Sequence, residues 1–164
     1  MITDPVLYLD FDGVLHPADV RVLPADRHPR VYVRGQPTDR PLFEHLPLLE
    51  QLLKPYPQLR IILATSWVRE FGYEYALEQL TSSLRERVIG ATPYPALARY
   101  YCIKIDAEER GVTKWLALDD DLNMWPESEM ARVVAPTDRL LGLAQPGIAE
   151  QLSAALVGLC GGNG

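Results

Sequence analysis

The stretch that decides the reading of this chain is VLYLDFDGVLH, residues 6–16. Val6 to Leu9 is a continuous apolar run, the pattern of a strand buried on both faces. Two carboxylates follow at once, Asp10 and Asp12, and then Gly13. Acids this close repel each other and resist ionisation together. A strand that ends this way needs a reason for holding them there.

The same grammar recurs along the chain. Apolar runs at Pro5–Leu9, Arg60–Ala64, Arg87–Gly90, Lys114–Leu118 and Ala131–Ala135 read as five strands. Helical periodicity lies between and after them, at Leu42–Lys54, Tyr73–Leu84, Ala96–Arg110 and Ile148–Leu159. Pro47 suits a first helical turn, so the first helix is expected to start later than Leu42. Strands alternating with helices predict an α/β fold: one three-layer α/β/α domain over residues 1–160, with a mainly parallel five-stranded sheet. Residues 18–41, rich in Arg, Asp and Pro, are too long for a plain connection and read as a flap-like insertion, expected as a β-hairpin, with an alternating patch at RVYVRG. The terminal CGGNG is expected to fray.

Composition narrows the classes. The chain has 164 residues, 48% hydrophobic and 23% charged, with net charge −6. That is globular composition, with no basic footprint over the whole chain. No run approaches the ~20 apolar residues of a membrane span, and no export signal is visible, so a cytoplasmic protein is expected. Cys102 and Cys160 lack metal or redox spacing and read as reduced bystanders.

In open α/β sheets, ligands bind outside the carboxyl ends of the strands. Here that edge collects Asp10 and Asp12 after the first strand, Thr65 and Ser66 after the second, and Asp119, Asp120 and Asp121 after the fourth. Clustered carboxylates are relieved by a hard divalent cation, for which Mg²⁺ is the natural candidate. Each signal has a plainer reading alone. Asp-x-Asp serves as a turn, Thr-Ser as a helix cap, and three acids as a solvated loop. Their order along the chain favours a shared site.

Asp10-Phe11-Asp12-Gly13-Val14 resembles the first motif of the haloacid dehalogenase-like (HAD) hydrolase superfamily. Thr65 or Ser66 after IILA resembles its second motif, and LALDDD its fourth. TSW and LALDDD are most similar to small bacterial HAD domains associated with RNA-repair proteins. The resemblance implies a Rossmann-type sheet ordered 5-4-1-2-3, without a full cap domain. It implies a Mg²⁺-dependent phosphatase, with Asp10 as nucleophile and Asp12 as acid and base. The acid at position 12 favours phosphatases over the dehalogenase and transport-ATPase branches. Thr65 would hold the phosphate, with Ser66 as alternative, and Gly13 would keep the site clear of a Cβ. Metal ligands would come from Asp10, Asp12 and Asp120, with Asp119 a ligand or a support. The third-motif cation would be Arg99, near the start of its helix, with Lys104 as the next candidate. Arg69 and His16 are further substrate-contact candidates, and Trp67 reads as packing.

Uncapped members of the superfamily tend to act on large substrates. The resemblance therefore admits a macromolecular phosphate, such as a nucleic-acid end or a phosphoprotein, alongside a small phosphomonoester. Arg21, Arg27, Arg30, Arg34 and Arg40, all in the insertion, would have to form a basic flap for nucleic acid to bind. A non-catalytic module binding a partner through that flap, and a phosphotransferase using the same residues, are the alternatives.

Overall fold

The computed structural model describes residues 1–25, 27–93 and 97–161. Strand β1 (Val6–Leu9) is followed by a small sheet of β2 (Val20–Arg21), β3 (Arg30–Val33) and β4 (Gln36–Pro37). Then come α1 (Leu46–Leu53), β5 (Arg60–Leu63), α2 (Ser66–Phe71), α3 (Tyr73–Glu78), α4 (Ser82–Arg85) and β6 (Val88–Ala91). The chain continues through α5 (Arg99–Arg110), β7 (Trp115–Leu118), β8 (Val133–Val134) and α6 (Ile148–Cys160). The main sheet is parallel throughout, in the order β6-β5-β1-β7-β8. Counting only its five strands along the chain, this is the expected order 5-4-1-2-3.

Alternation along the central strands builds two cores. Leu7 and Leu9 join Ile61, Leu63, Leu116 and Leu118 on one face, under Leu49 and Leu53 of α1 and Leu152 and Leu156 of α6. Val6 and Tyr8 join Ile62, Trp115 and Ala117 on the other, under Tyr100, Ile103 and Ala107 of α5. Both faces are apolar because both are covered, which is why these strands read as unbroken apolar runs. On the α5 side the Tyr8 hydroxyl donates to Asp106 at 2.8 Å, and Arg110 Nε donates to the same carboxylate at 2.9 Å. That buried acid is thus paired within the core.

Register carries the chemistry to one rim. Val6 lies opposite Arg60 and Trp115, and Leu9 opposite Leu63 and Leu118. The next residues, Asp10, Ala64 and Asp119, therefore emerge at the same level. A one-residue slip would reverse the faces of a central strand and bury the wrong set.

Several elements differ from the sequence reading. The first helix begins at Leu46, with Pro47 in its first turn. The helix expected over Tyr73–Leu84 is broken into α3 and α4. Thr81 is extended at the break, and Thr81 and Ser83 both donate to the Glu50 carboxylate of α1. Such side-chain bonds compete with a continuing helix. The short α2 is capped by Thr65, whose hydroxyl oxygen accepts the Trp67 N–H at 3.3 Å. The last strand shortens to Val133–Val134, because Glu127–Arg132 winds into a 3₁₀ helix. Ala96, the expected start of the third helix, and the chain end beyond Gly161 lie outside the described residues.

The insertion is a three-stranded antiparallel sheet rather than a single hairpin. It is tied to the body where the Ala18 N–H donates to the Arg139 carbonyl at 2.8 Å. Nearby, Gly142 adopts φ +51°, and a Cβ on it would lie 2.6 Å from the Val14 carbonyl oxygen. The Leu143 N–H donates to that same oxygen at 2.8 Å. Gly142→Ala is expected to destabilise the fold by about 1–3 kcal/mol in urea unfolding, with the loop after Asp12 loosened first.

Candidate active site

Backbone hydrogen bonds fix the rim before any side chain acts. Asp10 N–H donates to the Leu118 carbonyl at 3.1 Å, Ala64 N–H to Leu9 at 2.8 Å, and Asp119 N–H to Val134 at 3.2 Å. Asp10 Oδ1 then accepts the Phe11 N–H at 2.8 Å, and Asp119 Oδ1 accepts the Asp121 N–H at 2.9 Å. Each of these two carboxylates thus has one oxygen held by backbone.

Asp10, Asp119 and Asp120 each offer an oxygen, and these atoms lie within 4.8 Å of one another. Asp10 and Asp119 are buried. Gly13 makes room for Asp120. It turns at φ +76°, and a Cβ there would collide with the Asp120 carboxylate. Glycine is needed both for the backbone angle and for the space.

Arg99, at the start of α5, faces this cluster. Its Nη1 is 3.9 Å from Asp10 Oδ1, and its Nε is 3.6 Å from Asp119 Oδ2. One guanidinium does not offset three carboxylates in a buried setting. Burial, then the charge of Asp119, push Asp10 well above the ordinary carboxyl range. Burial pushes Asp119 up to about 7 against the opposing pull of Arg99. Burial, then the charge of Asp10, push Asp120 up to about 7.

The donor set fits a divalent cation. All three ligand atoms are carboxylate oxygens, the chemistry hard cations take. Asp119 Oδ2 is buried with no hydrogen-bond partner among the described residues; Arg99 Nε meets it at 3.6 Å as an ion pair, and a bound cation would complete the compensation of its charge. Asp12, expected among the metal ligands, is not in this group of three. Its Oδ1 instead accepts from the Trp67 indole N–H at 2.8 Å and lies 2.7 Å from His16 Nε2.

The remaining candidates divide by position. Thr65 is buried at the head of α2, where its hydroxyl caps the helix. Ser66 and Arg69 line an open cavity of about 350 Å³ that runs past Arg99 to Asp121 and Asn123. Arg69 is largely exposed and 4.0 Å from Glu70. Lys104 is not brought to the acids. Five residues along α5 from Arg99, it pairs with Glu108 at 3.9 Å. His16, expected to touch substrate, is instead fully buried behind Asp12. Trp67 does more than pack, since its N–H reaches Asp12. No local sequence signal marks that role, because Trp67 and Asp12 are 55 residues apart.

The raised acids set a pH dependence. From the ordinary value of 3.8 up to about 7, the folded state binds more protons than the unfolded chain. Stability therefore falls as pH rises through that window. In chelator, the melting temperature is expected to drop from the acid side of the window to above pH 7. Asp120→Asn should flatten the drop, and an added divalent cation should oppose it in the wild type only. Scanning calorimetry across pH tests both effects.

No helix among the described residues is long and apolar enough to cross a membrane. No curated protein and no solved structure matches the chain. The family described as "HAD domain in Swiss Army Knife RNA repair proteins" matches residues 6–148. That span runs from the first residue of β1 to the first residue of α6, so it takes in the whole parallel sheet and every acid at its rim. The chain belongs to this HAD family, within a superfamily of phosphatase-like hydrolases that work with a divalent metal.

Proposed function

We propose that the protein is a Mg²⁺-dependent phosphoric monoester hydrolase acting through an aspartyl-phosphate on Asp10. The observation that carries this reading is the juxtaposition of Asp10, Asp119 and Asp120 within 4.8 Å, with Arg99 alongside. Oxygen-only ligands suit Mg²⁺, whose charge would offset the carboxylates and the phosphoryl oxygens. Asp10, Asp119 and Asp120 are the residues to hold it.

The chain's own groups supply the remaining chemistry. An oxygen of Asp10 attacks phosphorus, and the bond from phosphorus to the leaving oxygen breaks. Asp12 gives that oxygen a proton. Asp12 then takes a proton from water as the water attacks the phosphoryl group, and the bond to Asp10 breaks to release phosphate. Arg99 neutralises the transferring group, and its fork suits phosphate oxygens. The Thr65 hydroxyl, or Ser66 at the cavity wall, donates to the phosphate.

For substrate we favour a phosphorylated nucleic-acid end. The family description names RNA repair, and the insertion after β1 carries exposed arginines that could meet a polyanion. Arg27, Arg30 and Arg34 on that insertion are exposed, whereas Arg21 pairs with Asp19 at 2.8 Å and Arg40 with Glu44 at 2.9 Å. The basic character of the flap therefore rests on three of its five arginines.

Phosphate release from p-nitrophenyl phosphate and from 5′- and 3′-phosphorylated oligonucleotides tests the reading. Turnover should require Mg²⁺, stop with chelator, and fall by about 10⁴-fold or more in Asp10→Asn. Turnover retained in that variant would refute the nucleophile assignment. Arg99→Ala is expected to lose about 10²–10³-fold, while Lys104→Ala stays near wild type. Gly13→Ala should abolish activity by displacing Asp120, even where the protein folds.

A further inference from the structure

We propose that Trp67 and His16 are positioning residues: together they hold one oxygen of Asp12 and turn the other toward the leaving group. This rests on the phosphatase reading above. Asp12 Oδ1 lies 2.8 Å from Trp67 Nε1 and 2.7 Å from His16 Nε2. The indole N–H can only donate. The histidine is directed by its other nitrogen, because the Phe43 N–H donates to His16 Nδ1 at 3.2 Å. With Nδ1 accepting, the ring proton sits on Nε2 and points at Asp12. Both donors thus converge on a single carboxylate oxygen.

The support behind them is built for this purpose. Phe43 holds φ +57°, a rare angle for a bulky residue, and that angle belongs to the residue whose N–H meets His16. Its ring packs edge-on to His16 at 4.7 Å and to Trp67 at 5.1 Å. Phe11 closes the group against Phe43 at 5.0 Å and Trp67 at 5.8 Å. The His16 carbonyl accepts the Gly13 N–H at 3.0 Å, which closes the loop between the carboxylate and the histidine. Trp67 and His16 are both fully buried, while the Asp12 side chain remains 29% exposed. One edge of the carboxylate is anchored in protein, and the other opens to substrate.

A carboxylate on a short side chain otherwise rotates broadly about its last torsion. Proton transfer needs the donating oxygen within hydrogen-bond reach of the leaving oxygen. With Oδ1 filled by two donors, Oδ2 is the oxygen that carries and delivers the proton. Loss of either donor releases the rotation, and the penalty grows with the substrate's need for a proton.

The test compares kcat/KM for phenyl phosphate, a poor leaving group, with that for 2,4-dinitrophenyl phosphate, a good one. In Trp67→Phe and His16→Phe the ratio of dinitrophenyl to phenyl rates should rise about tenfold or more, in the direction of Asp12→Asn. His16→Gln, which restores an N–H donor, should bring the ratio back toward wild type. In an Asp12→Asn background, Trp67→Phe should move the ratio no further. A merely structural role predicts equal losses on the two substrates, and that result would overturn the proposal. If the aromatic variants misfold, Asp12→Ala still decides: the Trp67 indole proton resonance should shift upfield, and an unmoved signal overturns the contact. A wild type inactive on every phosphoester would instead overturn the phosphatase reading itself.

Discussion

The structure depends on a repulsion that the sheet enforces. Three parallel strands share a register that places Asp10 and Asp119 at one height, and the loop after β7 adds Asp120. The strands cannot relax this contact, because their side chains lock into cores on both faces. The acids must therefore hold protons, borrow Arg99, or share a cation. A hard divalent cation shared by the three carboxylates would relieve that conflict.

Around this conflict the site is assembled from small local devices. Gly13 removes a Cβ where Asp120 must come close. Thr65 ends one strand and starts the helix that carries Trp67. Arg99 stands at the head of the helix whose other residues fill the opposite core. Asp12 is treated differently from its neighbour two residues away. Asp10 is buried among acids, whereas Asp12 is anchored by neutral donors and left partly open. Two carboxyls on one short segment thus meet different environments, as the proposed division into nucleophile and acid–base would require.

The sheet was legible because its strands are covered on both faces, so runs such as RIILA and WLAL carry a signal independent of their partners. Asp10, Asp119 and Asp120 were legible because each follows such a run. The broken helix at Gln79–Thr81 was not, since the Glu50 that interrupts it lies in another helix. Spacing placed Arg99 only narrowly ahead of Lys104. They sit on one helix five positions apart, and only packing decides which of them faces the rim. Trp67 packs as expected, and His16 is buried rather than open to substrate. Trp67 is 55 residues from Asp12 in sequence, and nothing local marks its indole as a donor to that acid.

By itself, then, the amino-acid sequence determined the α/β class, the strand order through its family resemblance, and the identity of the acids at the rim. Those follow from apolar periodicity and from which residues end each strand. Tertiary structure alone decided which acids converge, which cation meets them, and which way Asp12 faces. Those outcomes depend on distances of a few ångströms between residues far apart in the chain, and such distances exist only once both cores are packed.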